Sequence, residues 1–116
     1  MTTSELQASV RGRDGLTVID LTGDVNAAAE QALNQAYAEA TAGGATAVAL
    51  NFERADYINS TGIALIVGLL AQARKSGIEV KAFGLSDHYR EIFEITRLSD
   101  FMTITDNEAG AVSHDA

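Results

Sequence analysis

The chain has 116 residues, enough for one domain with a single hydrophobic core, and it contains neither cysteine nor proline. The lack of cysteine excludes a disulfide framework, a thiolate metal site and a thiol nucleophile. Sixteen acidic residues against eight basic ones give a formal net charge of −8, which repels phosphate backbones and anionic lipid, so we expect no nucleic-acid binding and no direct membrane association.

The longest apolar run, Ile63 to Ala71, is too short to span a bilayer. The N-terminus also lacks the basic-then-apolar order of a signal peptide. We therefore expect an unprocessed cytoplasmic protein.

The N-terminal part of the chain predicts a β-hairpin followed by a helix. Segments 6–11 and 16–22 are rich in β-forming residues, and the Asp14-Gly15 pair between them is a strong hairpin signal. Segment 23–26 is expected to leave the second strand, with Asn26 capping an alanine-rich helix over 27–42.

The middle of the chain predicts a strand, a helix and a second strand. Segment 46–52 is a nearly unbroken apolar run, as in a parallel strand buried on both faces, and segment 78–83 is similar. Between them we expect a loop over 53–56 and then an apolar helix that begins at Asn59 or Ser60. That helix is apolar almost all round, so one side is expected to be buried and the other either covered by a partner or left exposed.

The last third predicts one more helix, a short strand and a brief helix. Ser86 and Asp87 are capping residues for the first of these helices, whose apolar stripe we assign to Tyr89, Ile92, Phe93 and Leu98. The short strand is expected within 101–104, and the brief helix is expected to start at Asp106 or Asn107.

Together these patterns predict an α/β fold. We expect a single domain over residues 1–112, with an N-terminal β-hairpin and a mixed, partly parallel central sheet flanked by about four helices. Residues 113–116 are expected to form a flexible tail.

The sequence offers little that resembles an active site. His88 and His114 have no second ligand at metal-binding spacing, so we expect no metal site and no cofactor. A Ser–His–acid triad could be drawn from Ser60 and His88, but the sequence around Ser60 lacks the first glycine of the Gly-x-Ser-x-Gly elbow, which disfavours a hydrolase. No glycine-rich nucleotide-binding pattern occurs. We do not expect an enzyme.

Ser60 is the residue with the clearest alternative roles. As a plain helix N-cap it would contribute about 1 kcal/mol to stability. As a phosphorylation site it would place a charge near −2 at a helix N-terminus, where the dipole and the free amides favour it. The same charge would oppose an acidic or apolar partner docked there, and the two roles are compatible.

The segment Tyr57-Ile58-Asn59-Ser60-Thr61-Gly62-Ile63, between a strand and an apolar helix, resembles the signature of the STAS domain family, specifically its anti-sigma factor antagonists. Segment 21–26, Leu-Thr-Gly-Asp-Val-Asn, is similar to the strand end and turn that open the first helix of that family. Gly84-Leu85-Ser86 also fits, and the resemblance spans essentially the whole chain.

The resemblance implies that Ser60 matches the serine that is phosphorylated by an anti-sigma factor that is also a serine kinase. In that family, unphosphorylated antagonist binds the kinase and frees the sigma factor. Phosphorylated antagonist dissociates from the kinase, and a serine phosphatase removes the phosphate again. The partner-binding residues that it implies near this serine are Asp24, Asn59, Thr61, Gly62 and Ile63. Thr61 is a less favoured second acceptor.

Asn59 departs from the pattern of the family, which has an aspartate at this position. The asparagine keeps the capping oxygen but removes a charge next to Ser60. The alternative function is a STAS scaffold that binds partners without switching, as in stress-signalling assemblies or lipid-transport complexes. For either function the oligomeric state is expected to be a monomer or a weak dimer.

Overall fold

Five strands form one sheet in the spatial order β1-β2-β3-β4-β5, in a computed structural model that describes residues 5–113. The strands are β1 (Gln7–Arg13), β2 (Leu16–Val25), β3 (Ala47–Ile58), β4 (Glu79–Phe83) and β5 (Thr103–Thr105). The α-helices are α1 (Glu30–Thr41), α2 (Ser60–Ser76), α3 (Asp87–Ile95) and α4 (Glu108–Ser113). The predicted α/β class, with a mixed sheet and about four helices, is confirmed.

The antiparallel β1–β2 pair is the predicted hairpin, and the other three strand pairs are parallel. Asp14 and Gly15 both have a positive φ, of 49° and 84°, as the tightest hairpin turns require. Because the turn needs only these two residues, β1 continues to Arg13.

The two faces of the sheet are covered unequally. Helices α1, α2 and α3 lie on one face and enclose the main core, in which Ile19, Leu50, Ile66 and Phe93 are fully buried. The other face carries a smaller cluster of Leu16, Val18, Ala49 and Phe83, packed against Ala111 of α4. Helix α2 is therefore held by the larger core.

Strands β2 and β3 are longer than the sequence predicts. Segment 23–25 was expected to leave β2 and segment 53–56 to form a loop, and both expectations are wrong because the two segments pair with each other. Thr22 pairs with Arg54 and Asp24 with Tyr57, with register shifts before each pair. Each shift leaves one extra residue in β3, as in a β-bulge, so polar residues continue the strand out of the core.

The helix boundaries also differ in two places. Asn26 caps a 3-10 turn, Ala27–Ala29, and α1 itself starts at Glu30. Leu98 is buried, but in a 3-10 turn (Leu98–Asp100) and not on α3, because Arg97 adopts a left-handed conformation that ends the helix. The predicted tail 113–116 lies outside the described residues apart from Ser113, which ends α4.

Two arginines of the hairpin hold α4 on the second face. Arg11 contacts Asp20 at 2.6 Å and Glu108 at 2.7 Å, and Arg13 contacts Glu108 at 2.9 Å. Hydrogen bonds from Arg11 and then Arg13 lower the pKa of Glu108 to about 2. Lys81, buried in the same layer, donates to the Ala111 carbonyl at 2.9 Å.

Glu108 is predicted to stabilise the fold in a pH-dependent way. Its pKa lies below the ordinary value of 4.5 in the folded chain, so its contribution is complete above pH 4.5 and is lost as the pH falls toward 2. Since the arginines are 40% and 41% exposed, solvent screening limits that contribution to about 1 kcal/mol. Urea unfolding should show Glu108→Gln less stable than wild type by that amount at pH 7, with the difference shrinking as the pH drops.

Glu39→Gln is the matched control, because Glu39 is exposed on α1 and makes no ion pair within residues 5–113. It should not lower the free energy of unfolding, because Glu39 lies in the last turn of α1, where its negative charge opposes the helix dipole. A Glu108→Gln effect that stayed constant down to pH 2.5 would contradict the ion-pair explanation.

Candidate functional site

The first turn of α2 is capped by Asn59 and not by Ser60. The Asn59 Oδ1 atom accepts a hydrogen bond from the Gly62 amide at 2.8 Å, and the Asn59 carbonyl accepts one from the Ile63 amide at 2.9 Å. Ser60 is the first residue of the helix and is exposed. With the cap supplied by Asn59, the Ser60 hydroxyl makes no hydrogen bond within residues 5–113.

This turn lies directly on the end of β2. The Asn59 amide donates to the Val25 carbonyl at 3.2 Å. A Cβ atom at position 62 would lie 2.0 Å from the same carbonyl oxygen, a distance that atoms do not tolerate. Only glycine therefore fits at position 62, and Gly62 sets how closely α2 approaches the sheet.

Helix α3 supplies a third contact that the sequence did not reveal. The Tyr89 hydroxyl accepts a hydrogen bond from the Ile58 amide at 3.0 Å, just before Asn59 and Ser60. Tyr89 was assigned from its spacing to an apolar stripe, and its hydroxyl was the one signal that such a residue also has a polar role. Ser60 thus follows a backbone segment held by β2 and α3.

Asp24 lies beside this turn without bonding to it. It is half-buried near the end of β2, and its register partner on β3 is Tyr57, whose side chain is 54% exposed. The Asp24 carboxylate has no hydrogen-bond or ion-pair partner among the residues described. Asn59, Gly62 and Ile63 are therefore brought into one bonded turn, while Asp24 is placed on the neighbouring strand.

The N-terminal end of α2, which we call the helix mouth, has unused hydrogen-bond donors. The amides of Ser60 and Thr61 have no acceptor within the described part of the chain, and both residues are exposed. The first turn of α2 contains no acidic side chain. Free amides and the positive end of the helix dipole favour a negative group at this place.

The exposed side of α2 continues from Ser60 as an apolar strip. Ala64, Val67, Gly68 and Ala71 are exposed at helical spacing, and Val67 is 47% exposed. The opposite side of the helix is buried against the sheet through Ile66, Leu69, Leu70 and Ala73. We call residues 60, 64, 67, 68 and 71 the outer face of α2; all five are exposed.

The described residues offer little support for a metal site, a Ser–His catalytic pair or a membrane-spanning helix. Within residues 5–113 no three histidine, aspartate or glutamate residues lie close enough together to hold a metal ion. His88 is exposed, stacks edge-on against Tyr89 at 4.9 Å and makes no hydrogen bond to Ser60 in the same range. None of the helices over these residues has the length and apolar character needed to cross a lipid bilayer.

Comparison with known sequences decides the family, since the model of the STAS domain matches residues 7–111. The chain belongs to the STAS domain family. Over 101 residues it is 34% identical to BtrV of Bordetella bronchiseptica, named provisionally as an anti-sigma factor antagonist, a match covering 86% of this chain and 87% of that protein.

Two further similarities are a sequence match over about half of the chain and a match to a solved structure, which concerns the fold. The anti-sigma-B factor antagonist of Staphylococcus aureus is 37% identical over 57 residues, which are 49% of this chain and 53% of that protein. The phosphorylated form of the Bacillus cell fate determinant SpoIIAA superposes with a TM-score of 0.68 at 22% identity, covering 96% of this STAS chain and 99% of that one. At that identity the likeness shows the fold alone.

Gly62→Ala is predicted to lower the free energy of unfolding by about 2 to 3 kcal/mol, because the added methyl group would push α2 off the Val25 carbonyl. Gly68→Ala, on the outer face of the same helix, has no atom within 4 Å of its added methyl group. It should stabilise the chain by about 0.5 to 1 kcal/mol. Chemical denaturation of both variants measures this, and equal effects would contradict the close contact at Gly62.

Proposed function

We propose that this STAS chain is an anti-sigma factor antagonist whose binding is switched by phosphorylation of Ser60. Unphosphorylated, it binds an anti-sigma factor that is also a serine kinase, and the sigma factor is released. The observation that supports this best is the exposed Ser60 hydroxyl, free of internal hydrogen bonds, at the start of a helix whose outer face is apolar.

The proposed modification makes the chain a substrate and not a catalyst. The kinase transfers the γ-phosphoryl group of ATP to Ser60 Oγ, so that a P–O bond to the serine forms, the bond to ADP breaks and the hydroxyl proton leaves. A serine phosphatase reverses the modification by hydrolysis. Neither step needs a cofactor, a metal ion or a general base from this chain.

The helix mouth can accommodate a phosphate group on Ser60 without unfolding of the domain. The amides of Ser60 and Thr61 are free to donate, and no carboxylate in the first turn opposes the new charge. Ser60 is also better aligned than Thr61, because Ala64, Val67 and Ala71 continue the line of Ser60 along the outer face. A charge near −2 at the end of that apolar strip would disfavour any apolar or acidic surface docked on it.

The family relationship supports the same function. BtrV and the S. aureus protein carry the name anti-sigma factor antagonist, and a protein of this fold, SpoIIAA, is known in a phosphorylated form. Sigma factors act in the cytoplasm, where this function places the chain. The partner-binding surface then comprises Asp24, Asn59, Thr61 and Ile63 around the phosphoacceptor, whereas Gly62 is buried against β2 and acts by positioning the turn. The second candidate is a STAS scaffold that binds its partners constitutively, for which the same exposed outer face is the supporting feature.

Ser60 variants distinguish the two candidates. Incubation with ATP and the cognate kinase should add one phosphate to Ser60, located by mass spectrometry, and Ser60→Ala should abolish it. Ser60→Ala is expected to bind the kinase within about twofold of wild type, and Ser60→Asp at least about tenfold more weakly. Thr61→Ala is the control and should still be phosphorylated. Equal binding by the Ala and Asp variants at position 60 would support the constitutive scaffold.

Asn59→Asp tests the one departure from the family pattern. Aspartate keeps the capping oxygen and adds a charge at the helix N-terminus, so stability should be unchanged or higher by up to about 1 kcal/mol. We expect phosphorylation of Ser60 to become about tenfold faster, because the kinase regains the acidic neighbour for which the family site is built. Asn59→Ala, which loses the cap, controls for stability. An unchanged rate in Asn59→Asp would mean that the kinase does not read this charge.

A further inference from the structure

A groove of about 260 Å³ lies along the C-terminal half of α2, between that helix and the 3-10 turn Leu98–Asp100. Its sides include Val67 and Phe101, which are 47% and 53% exposed, and its floor includes the buried Leu70 and Leu98. We call it the rear groove. Its residues on α2, from Val67 to Arg74, lie roughly 10 to 20 Å along the helix from Ser60, so the groove is distinct from the helix mouth.

The rim of the rear groove is basic in a chain of net charge −8. Arg74 packs over the Phe101 ring at 5.4 Å and contacts no carboxylate within residues 5–113. Arg97, also on the rim, reaches Asp100 at 3.3 Å, but its side chain is 76% exposed, so this contact is screened by water. By contrast Arg11, Arg13 and Arg90 are paired with carboxylates elsewhere on the surface.

The backbone at Arg97 adds a second observation. Its φ is +66°, a left-handed conformation that favours glycine and strains a residue with a long side chain. Internal packing does not account for an arginine there, since the side chain extends into solvent. The strained position therefore presents a guanidinium group next to an apolar groove.

We propose that the rear groove binds an acidic amphipathic helix of a partner protein. Apolar side chains of that helix enter between Val67 and Phe101, and its carboxylates meet Arg74 and Arg97. A helix laid in an apolar groove is a common mode of recognition, and the charge complementarity selects an acidic one. This surface goes beyond the proposed switch because Arg74 and Arg97 lie outside the outer face of α2 and binding to them does not depend on the phosphorylation state of Ser60, although Val67 and Ala71 also join it to that outer face.

The test uses the full chain, labelled with ¹⁵N, and two synthetic peptides of about 15 residues. One peptide carries leucine and phenylalanine on one face and glutamate on the other, and the second has lysine in place of every glutamate. The acidic peptide should shift the amide signals of Val67, Ala71, Arg74 and Phe101 and leave Ser60 unmoved. Its binding should weaken with salt, and the lysine peptide should not bind.

Two variants separate binding from folding. Arg97→Gly relieves the left-handed strain, so the free energy of unfolding should be unchanged or higher while the affinity for the acidic peptide falls about fivefold. Arg74→Ala should weaken binding by a similar factor. Lys75→Ala, next to Arg74 but outside the groove, is the matched control and should bind within about twofold of wild type.

Several results would overturn the proposal. They are an absence of shifts at the groove with millimolar peptide, equal binding of the lysine peptide, or full affinity in folded Arg97→Gly and Arg74→Ala. Groove signals that shift with protein concentration alone would assign the surface to a second copy of this chain. The Ser60 phosphorylation assay is independent of all these outcomes, so either proposal can fail alone.

Discussion

The close contact between the first turn of α2 and the end of β2 organises this molecule. The Val25 carbonyl accepts the Asn59 amide, and the same oxygen lies where a Cβ of residue 62 would be, so the turn approaches as only glycine permits. Asn59 then caps the helix through the Gly62 amide. Asn59 therefore provides the cap, and Gly62 allows the close approach to the sheet. Ser60, which lies between them in the chain, has no structural role in this turn.

Helix α2 serves the core and the surface at the same time. Its inner side is buried against the sheet through Ile66 and Leu70, while Val67 on the opposite side is half exposed. A helix that is apolar all round normally lies inside a protein, so an exposed apolar side indicates a surface that meets another protein. This division is what links a stable fold to the proposed binding of a partner, since the same rigid helix presents both.

Charge distinguishes the surfaces of this STAS domain. The ion pairs of Arg11 and Arg13 with Glu108 hold α4 on the face of the sheet opposite to α2. At the helix mouth no acidic residue lies in the first turn of α2, which leaves its free amides available to an anion. Arg74 and Arg97 form a basic rim at the other end of the same helix. The two ends of α2 are thus suited to different ligands, and both adjoin one apolar strip.

The amino-acid sequence by itself determined the fold class, most of the elements and the helix start beside Ser60. These features depend on local signals: Asp14-Gly15 in the hairpin turn, an unbroken apolar run in β3, and a capping residue before the apolar helix. The sequence left open whether Asn59 or Ser60 caps α2, because both side chains are able to do so. The hydrogen bond from the Gly62 amide to the Asn59 side chain identifies Asn59 as the cap.

Only the tertiary structure decided the features that depend on residues far apart in the chain. The polar ends of β2 and β3 are strands because they pair with each other, which their own composition does not show. The Tyr89 hydroxyl holds Ile58, 31 residues away, and Val25 excludes any side chain at Gly62. The rear groove exists because Leu98 and Phe101 fold back beside α2. Local preferences act over a few residues, whereas contacts of this kind are set by how whole elements pack.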